Sequence, residues 1–170
     1  MQQIYLTGPK AREVAAWVLT SLRVKTAGYC LVPLEVEGQV RGQALRLLTV
    51  PDEPYHNNVP CMAELAPGKQ VFLREVFNQI AAPELRQAAS AHVPVFMDCI
   101  TAEMLKAADF AEAVAACLRS RSQVIAVAAD NAVRKLRAMT DAENQLWLTV
   151  DEANQNDIMR LLQQEVSMRL

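Results

Sequence analysis

Three short apolar runs in the second half of the chain, each followed by helical sequence, restrict its fold more than any other feature. Val93-Pro94-Val95-Phe96-Met97-Asp98, Val124 to Ala128 and Leu146 to Val150 are continuous rather than alternating, which is how strands covered on both faces of a parallel sheet read. The first precedes a helix from about Asp109 to Leu118. After the second, Asp130 can cap a helix whose Val133, Leu136 and Thr140 share a face. After the third, Asp151 can cap a last helix with an apolar stripe of Ile158, Leu161, Leu162 and Val166. Strands alternating with helices predict an α/β fold, a three-layer sandwich around a mostly parallel central sheet. Residues 1–170 show no internal repeat and no linker, so the expectation is a single domain.

The first half begins the same way. Gln3 to Thr7 is an apolar run closed by Gly8-Pro9, and Val14, Trp17, Val18, Ser21 and Leu22 then recur at helical spacing. From Tyr29 to Val36 the pattern alternates, and Glu37-Gly38 supplies a tight turn before Val40 to Leu48, so a β-hairpin is inserted after the first helix. Val50 to Pro60 reads as a loop. Cys61 to Leu65 and Val71 to Leu73 read as short strands, and Glu75 to Ser90 as a helix that breaks or restarts at Pro83.

Composition removes several functions. With 52% hydrophobic and 21% charged residues, five glycines and eight prolines, the chain is neither disordered nor low in complexity. Its 17 basic and 19 acidic residues nearly cancel, so no overall field favours nucleic acid or an anionic membrane as partner. Arg119, Arg121, Arg134, Lys135 and Arg137 then read as a solvated face. No apolar run approaches the ~20 residues of a membrane span, and no signal segment is evident, so a cytoplasmic location is expected. Cys30, Cys61, Cys99 and Cys117 are widely spaced and there are two histidines, His56 and His92, poor material for a zinc site or a disulfide framework. Trp17 and Trp147 read as core residues.

A strand ending Thr7-Gly8-Pro9 and running into a helix is the setting of a phosphate-binding loop. Such a loop needs glycines so that backbone N–H groups can wrap phosphate oxygens, a lysine for the β- and γ-phosphates and a hydroxyl for magnesium. Here the order of the chain resembles the nucleoside-triphosphatases of the cancer-related, thermophile-type family, whose first strand runs into T-G-x-P-G-x-G-K-T-T. Thr7-Gly8 matches, and Pro9 stands in the variable place. Gly28-Tyr29 through Glu35-Val36 to Gly38, Arg41 and Gly42 is similar to the family's hairpin. Phe96-Met97-Asp98-Cys99-Ile100, followed by Glu103-Met104-Leu105, is similar to its strand ending D-E-I-G and the M-E-L after it. The resemblance implies a P-loop nucleoside-triphosphatase fold, with nucleotide at the ends of these strands and Asp98 as the magnesium-associated carboxylate.

The departures from that pattern fall on its chemistry. Aligned without a gap from Gly8, Lys10 replaces the loop's proline, Ala11 and Glu13 its glycines, Val14 its lysine and Ala15 its metal-binding hydroxyl. Ala11 and Glu13 restrict the backbone, and Glu13 sets a negative charge where phosphate would lie. Cys99 replaces the glutamate that would orient water, and a buried thiol cannot take that role at neutral pH. Glu103 could stand in for it, or be an exposed acid at a helix start. As a nucleophile Cys99 would need a base, and only His56 could reach it; a core cysteine is the alternative. The candidate binding residues are Gly8, Pro9, Lys10, Arg12 and Asp98, with Asp98 as candidate metal ligand. Lys10 and Arg12 could make displaced phosphate contacts or be solvated side chains at a helix start, and Asp98 could bind metal or be a hydrogen-bonded strand-end carboxylate.

The expected function is a degenerate member of this fold that has lost the phosphate-binding loop and hydrolysis, with no catalytic residue and no required cofactor. It would bind or regulate, its partner an unidentified protein or a nucleotide. The competing reading is a divergent enzyme that hydrolyses ATP or GTP with magnesium held by Asp98. A third is an interaction protein whose former cleft is packed by Val14 and its neighbours.

Overall fold

The computed structural model describes residues 3–21, 25–49 and 58–167. Of the expected loop from Val50 to Pro60, residues 50–57 lie outside them and Asn58 to Pro60 are strand instead; His56 and Leu22 also lie outside, and nothing is described of the Val166 side chain. The elements run β1 (Gln3–Thr7), α1 (Ala11–Ser21), β2 (Ala27–Val36), β3 (Gln39–Leu47), β4 (Asn58–Ala66), β5 (Lys69–Phe72) and α2 (Arg74–Val76). A π-turn (Phe77–Ala81) leads into α3 (Ala82–Ala91), then β6 (Val95–Ile100), α4 (Ala108–Arg119), β7 (Val124–Ala128), α5 (Val133–Arg137), β8 (Gln145–Thr149) and α6 (Gln155–Ser167).

One eight-stranded sheet, in the order β5-β4-β3-β2-β6-β7-β1-β8, carries the fold. From β2 to β8 every neighbouring pair is parallel, and β2 to β5 form an antiparallel meander. The hairpin is therefore part of the central sheet, since β2 pairs with β3 on one side and with β6 on the other. At its tip Glu37 and Gly38 both have positive φ, 52° and 75°, as a two-residue hairpin turn with the strands' own twist demands.

Helices cover both faces. On one, α1 and α6 bury Val14, Ala15, Val18, Ile158 and Leu162 against Ile4, Leu6, Phe96, Ile125 and Val127. On the other, Leu85, Phe110, Val114 and Leu118 pack with Tyr5, Tyr29, Leu45, Met97 and Val124. This is the three-layer arrangement expected from continuous strand runs. Among the described residues no helix is long and apolar enough to cross a membrane.

Local departures have local causes. Pro83 lies in the first turn of α3, and lacking an N–H it cannot continue the regular ladder; the π-turn precedes it. Instead of a capped helix reaching Thr140, Asp130 to Ala132 form a 3-10 turn and α5 spans Val133–Arg137. Thr140 instead hydrogen-bonds Gln3 and Gln145. Asp151 does cap its helix, accepting from the N–H groups of Ala153 and Asn154 at 2.9 Å. Trp17 and Trp147 are half-buried, Trp147 stacked on Tyr5 at 4.2 Å with Arg137 over its ring.

Gly28 fixes the junction between meander and parallel sheet. Its φ is +108°, and a Cβ there would lie 1.9 Å from the carbonyl oxygen of Phe96 on β6. Gly28→Ala should cost about 3 kcal/mol or more in denaturant unfolding. A second expectation concerns pH. Burial raises Cys61 from 9.0 to about 11, Cys117 from 9.0 to about 12 and Tyr5 from 10.0 to about 12. Each holds its proton more tightly when folded, so its contribution is complete below the unfolded value and lost as pH rises through the folded one. The melting temperature should be level up to ~pH 9 and fall steeply towards pH 12, as followed by circular dichroism.

Candidate functional site

The C-terminal ends of β1, β6 and β7 face the start of α1, which is where ligands sit in open α/β sheets. Three residues connect β1 to α1: Gly8, Pro9 and Lys10. The turn is tied to the segment after β8. Val150 N–H donates to Thr7 at 2.7 Å, Lys10 N–H donates to the Val150 carbonyl at 3.1 Å, and Ala11 N–H donates to the Gly8 carbonyl at 3.2 Å. Gly8 has φ +92°, and a Cβ there would lie 2.6 Å from the Val150 oxygen, so only glycine fits this approach. Val14 and Ala15, aligned with the family's lysine and hydroxyl residue, lie 1% exposed in the core.

Arg12 and Asp98 meet at the centre of the site. Arg12 Nε donates to Asp98 Oδ1 at 3.0 Å and Arg12 Nη2 to Oδ2 at 2.8 Å, a bidentate charge-assisted pair. The same Nη2 reaches the Leu31 carbonyl at 3.1 Å, and Leu31 N–H donates to Asp98 Oδ2 at 3.0 Å. Asp98 is thus buried with three donors on its two oxygens, while the Arg12 side chain is half-exposed. Its hydrogen bond to Asp98 raises the Arg12 pKa further.

The other candidates are also engaged. Lys10 Nζ pairs with Glu13 at 2.8 Å. Glu103 pairs with Lys106 at 2.7 Å and Arg74 at 3.1 Å, contacts that lower its pKa, Lys106 first. Cys99 is half-buried, and its thiol is raised by burial first and by Asp98 second, against a lowering by Arg12. The net effect favours the protonated thiol over the thiolate. His92 caps the C-terminus of α3 in the left-handed conformation, φ 56°. Among the described residues no group of three or more His, Cys, Asp and Glu could hold a metal ion.

The strand itself bends here. The β6–β7 register shifts between Met97 and Ile100, and Cys99 has φ +48°, a bulge of the kind that re-aims side chains beside a site. Cys99 lines two hollows. One, of about 510 Å³, is bounded by Gly8, Pro9, Arg12, Glu13 and Asp130. The other, of about 560 Å³, opens towards the meander past Gln43, Phe72 and Thr101. Sequence reasoning missed the second hollow and the pairing of Arg12 with Asp98, because 86 residues separate the partners and no local pattern links them.

No family model and no curated protein sequence matches the chain. Solved structures do. THEP1 from the hyperthermophile Aquifex aeolicus is similar with a TM-score of 0.71 at 16% identity, over 95% of this chain and 99% of that one. The solution structure of a human cancer-related nucleoside triphosphatase gives 0.72 at 21% identity, over 98% and 97%. The fold that the resemblance implied is borne out, and over nearly the whole chain it is like that of these two structures.

The Arg12–Asp98 pair makes a prediction. Arg12→Ala leaves a buried carboxylate without its cation and should cost about 2 kcal/mol by urea unfolding, the figure reduced because Arg12 is half-exposed. Replacing both partners with apolar residues, Arg12→Met with Asp98→Leu, should recover most of that loss.

Proposed function

We propose that this nucleoside-triphosphatase-like chain has lost its phosphate-binding loop and works as a non-hydrolytic binding or regulatory protein. The observation that carries the reading is the Arg12 guanidinium seated on Asp98. A triphosphate with magnesium would need the carboxylate for its metal and free cations for its oxygens. Asp98 has three donors already, Lys10 is paired with Glu13, and the hollow's remaining charged side chains are Glu13 and Asp130. The residues present do not fit a magnesium–nucleotide, so no hydrolytic step is assigned to them.

Backbone supply points the same way. The connection holds one glycine, and two of its early N–H groups, those of Lys10 and Ala11, are bonded to Val150 and Gly8. A phosphate would have to displace these bonds and open the Arg12–Asp98 pair. At about 2 kcal/mol for the pair alone, that is roughly a thirtyfold loss of affinity. The partner of such a protein would be another protein rather than nucleic acid, given the balanced charge.

Calorimetric titration with ATP and with GTP, each with magnesium, should give no heat of binding at concentrations up to 1 mM or so, an affinity below about −4 kcal/mol being what a millimolar site needs. A phosphate-release assay should give no turnover. Steady turnover that disappears in Asp98→Asn would overturn the reading in favour of a divergent triphosphatase.

A further inference from the structure

The hollow on the meander side of Cys99 has a different chemistry from the one beside Gly8. At about 560 Å³ it is within the size range of small-molecule sites, ~300–1,000 Å³. Phe72 and Phe77, stacked on each other with centroids 5.0 Å apart, supply aromatic wall. Phe77 is fully buried, and Phe72 is partly exposed.

Four of its polar side chains, Gln43, Gln70, Thr101 and Asn131, are neutral and have hydrogen-bonding capacity to spare. The side-chain amides of Gln43 and Gln70 hydrogen-bond to none of the described residues. Asn131 uses its Oδ1 to accept from Ala102 N–H at 2.9 Å, which leaves its amide hydrogens available. Thr101 Oγ1 accepts from Met104 N–H at 3.2 Å, and its own proton is free to donate. Amides and a hydroxyl from β3, β5 and the loops after β6 and β7 thus border one partly apolar space. The charged groups at its edge, Arg74 and Glu103, neutralise each other at 3.1 Å. An ionic ligand would be stripped of water here with no opposite charge left to receive it.

We propose that this hollow is a binding site for a neutral, planar ring carrying an amide-like edge of donors and acceptors. The ring would lie against the Phe72 wall while Gln43, Gln70, Thr101 and Asn131 read its edge. None of the residues that line it belongs to the β1–α1 turn, and a protein that failed to bind nucleotide could still fill it.

Benzamide, benzoate and cyclohexanecarboxamide separate the requirements of charge and planarity in ligands of nearly one shape. In ¹H–¹⁵N spectra of the full chain, benzamide should shift the side-chain amide signals of Gln43 and Gln70 and saturate in the millimolar range. Benzoate and cyclohexanecarboxamide should each bind at least about tenfold more weakly, the step expected for ~1.4 kcal/mol. Gln70→Ala, at an exposed position on the edge strand, should weaken benzamide about fivefold, as the loss of one hydrogen bond predicts. Thr101→Trp should abolish binding by filling the space, with signals elsewhere unchanged. Absence of saturable shifts, equal binding of benzoate, or full affinity in Gln70→Ala would each overturn the proposal. Should Thr101→Trp unfold, the Gln70→Ala and benzoate measurements still decide it.

Discussion

The contact between Arg12 and Asp98 joins three elements that the rest of the site depends on. Arg12 comes from the first turn of α1, Asp98 from the end of β6, and the Leu31 backbone they share from β2. α1 also packs on β6 directly, where Val14, Ala15 and Val18 share a buried cluster with Phe96. A buried carboxylate needs donors and a countercharge, and here one side chain and one strand N–H supply both. A bidentate guanidinium suits this place better than an ammonium would, because its planar fork can hold both carboxylate oxygens and still reach a carbonyl. The pair thus fixes the first turn of α1 over the strand ends and takes up the charge that would otherwise be available to a ligand.

The same contact explains why the strand can carry an unfavourable backbone. Cys99 stands in the left-handed region at φ +48°, a conformation that costs a non-glycine residue of order 1 kcal/mol. It persists because Asp98, one residue earlier, is held by three hydrogen bonds, and Ile100, one residue later, accepts from Ala129 N–H at 2.9 Å on the β7 side. The bulge borders both hollows with the Cys99 side chain. One hollow is left with acids and a neutralised arginine, the other with neutral amides and aromatic rings.

Much of this was legible from residue order because its causes are local. The apolar runs Val93 to Asp98 and Val124 to Ala128 fall at β6 and β7, which are covered by α1 and α6 on one side and α3 and α4 on the other. Glu37-Gly38 could only be a tight turn, and Asp151 caps its helix as its position suggests. What was not legible depends on distant partners. The position of Asp130 suggests a cap, yet the chain there closes a 3-10 turn, and Thr140 leaves the helical face to bond Gln3, 137 residues away. Arg12 looked like a free cation at a helix start until the fold brought Asp98 beneath it. The second hollow requires β3, β5 and two loops to come together, and single glutamines on strands carry no periodic signal.

A likeness of fold at 16–21% identity leaves the chemistry to be argued from the side chains. The sheet order, the covering helices and the hairpin do not dictate the residues beside Gly8, because the core and the strand ends make separate demands. Val14 and Ala15 fill core space at 1% exposure where a phosphate loop would need a lysine and a hydroxyl, so those positions now contribute to packing. Lys10 and Arg12, the cations that remain, each have a carboxylate of the same chain within 3 Å. An internal countercharge is always present at high effective concentration, whereas a phosphate must arrive from solution and displace it. For the proposed non-hydrolytic reading, the sign and placement of Glu13 and Asp98 count for more than the number of basic residues.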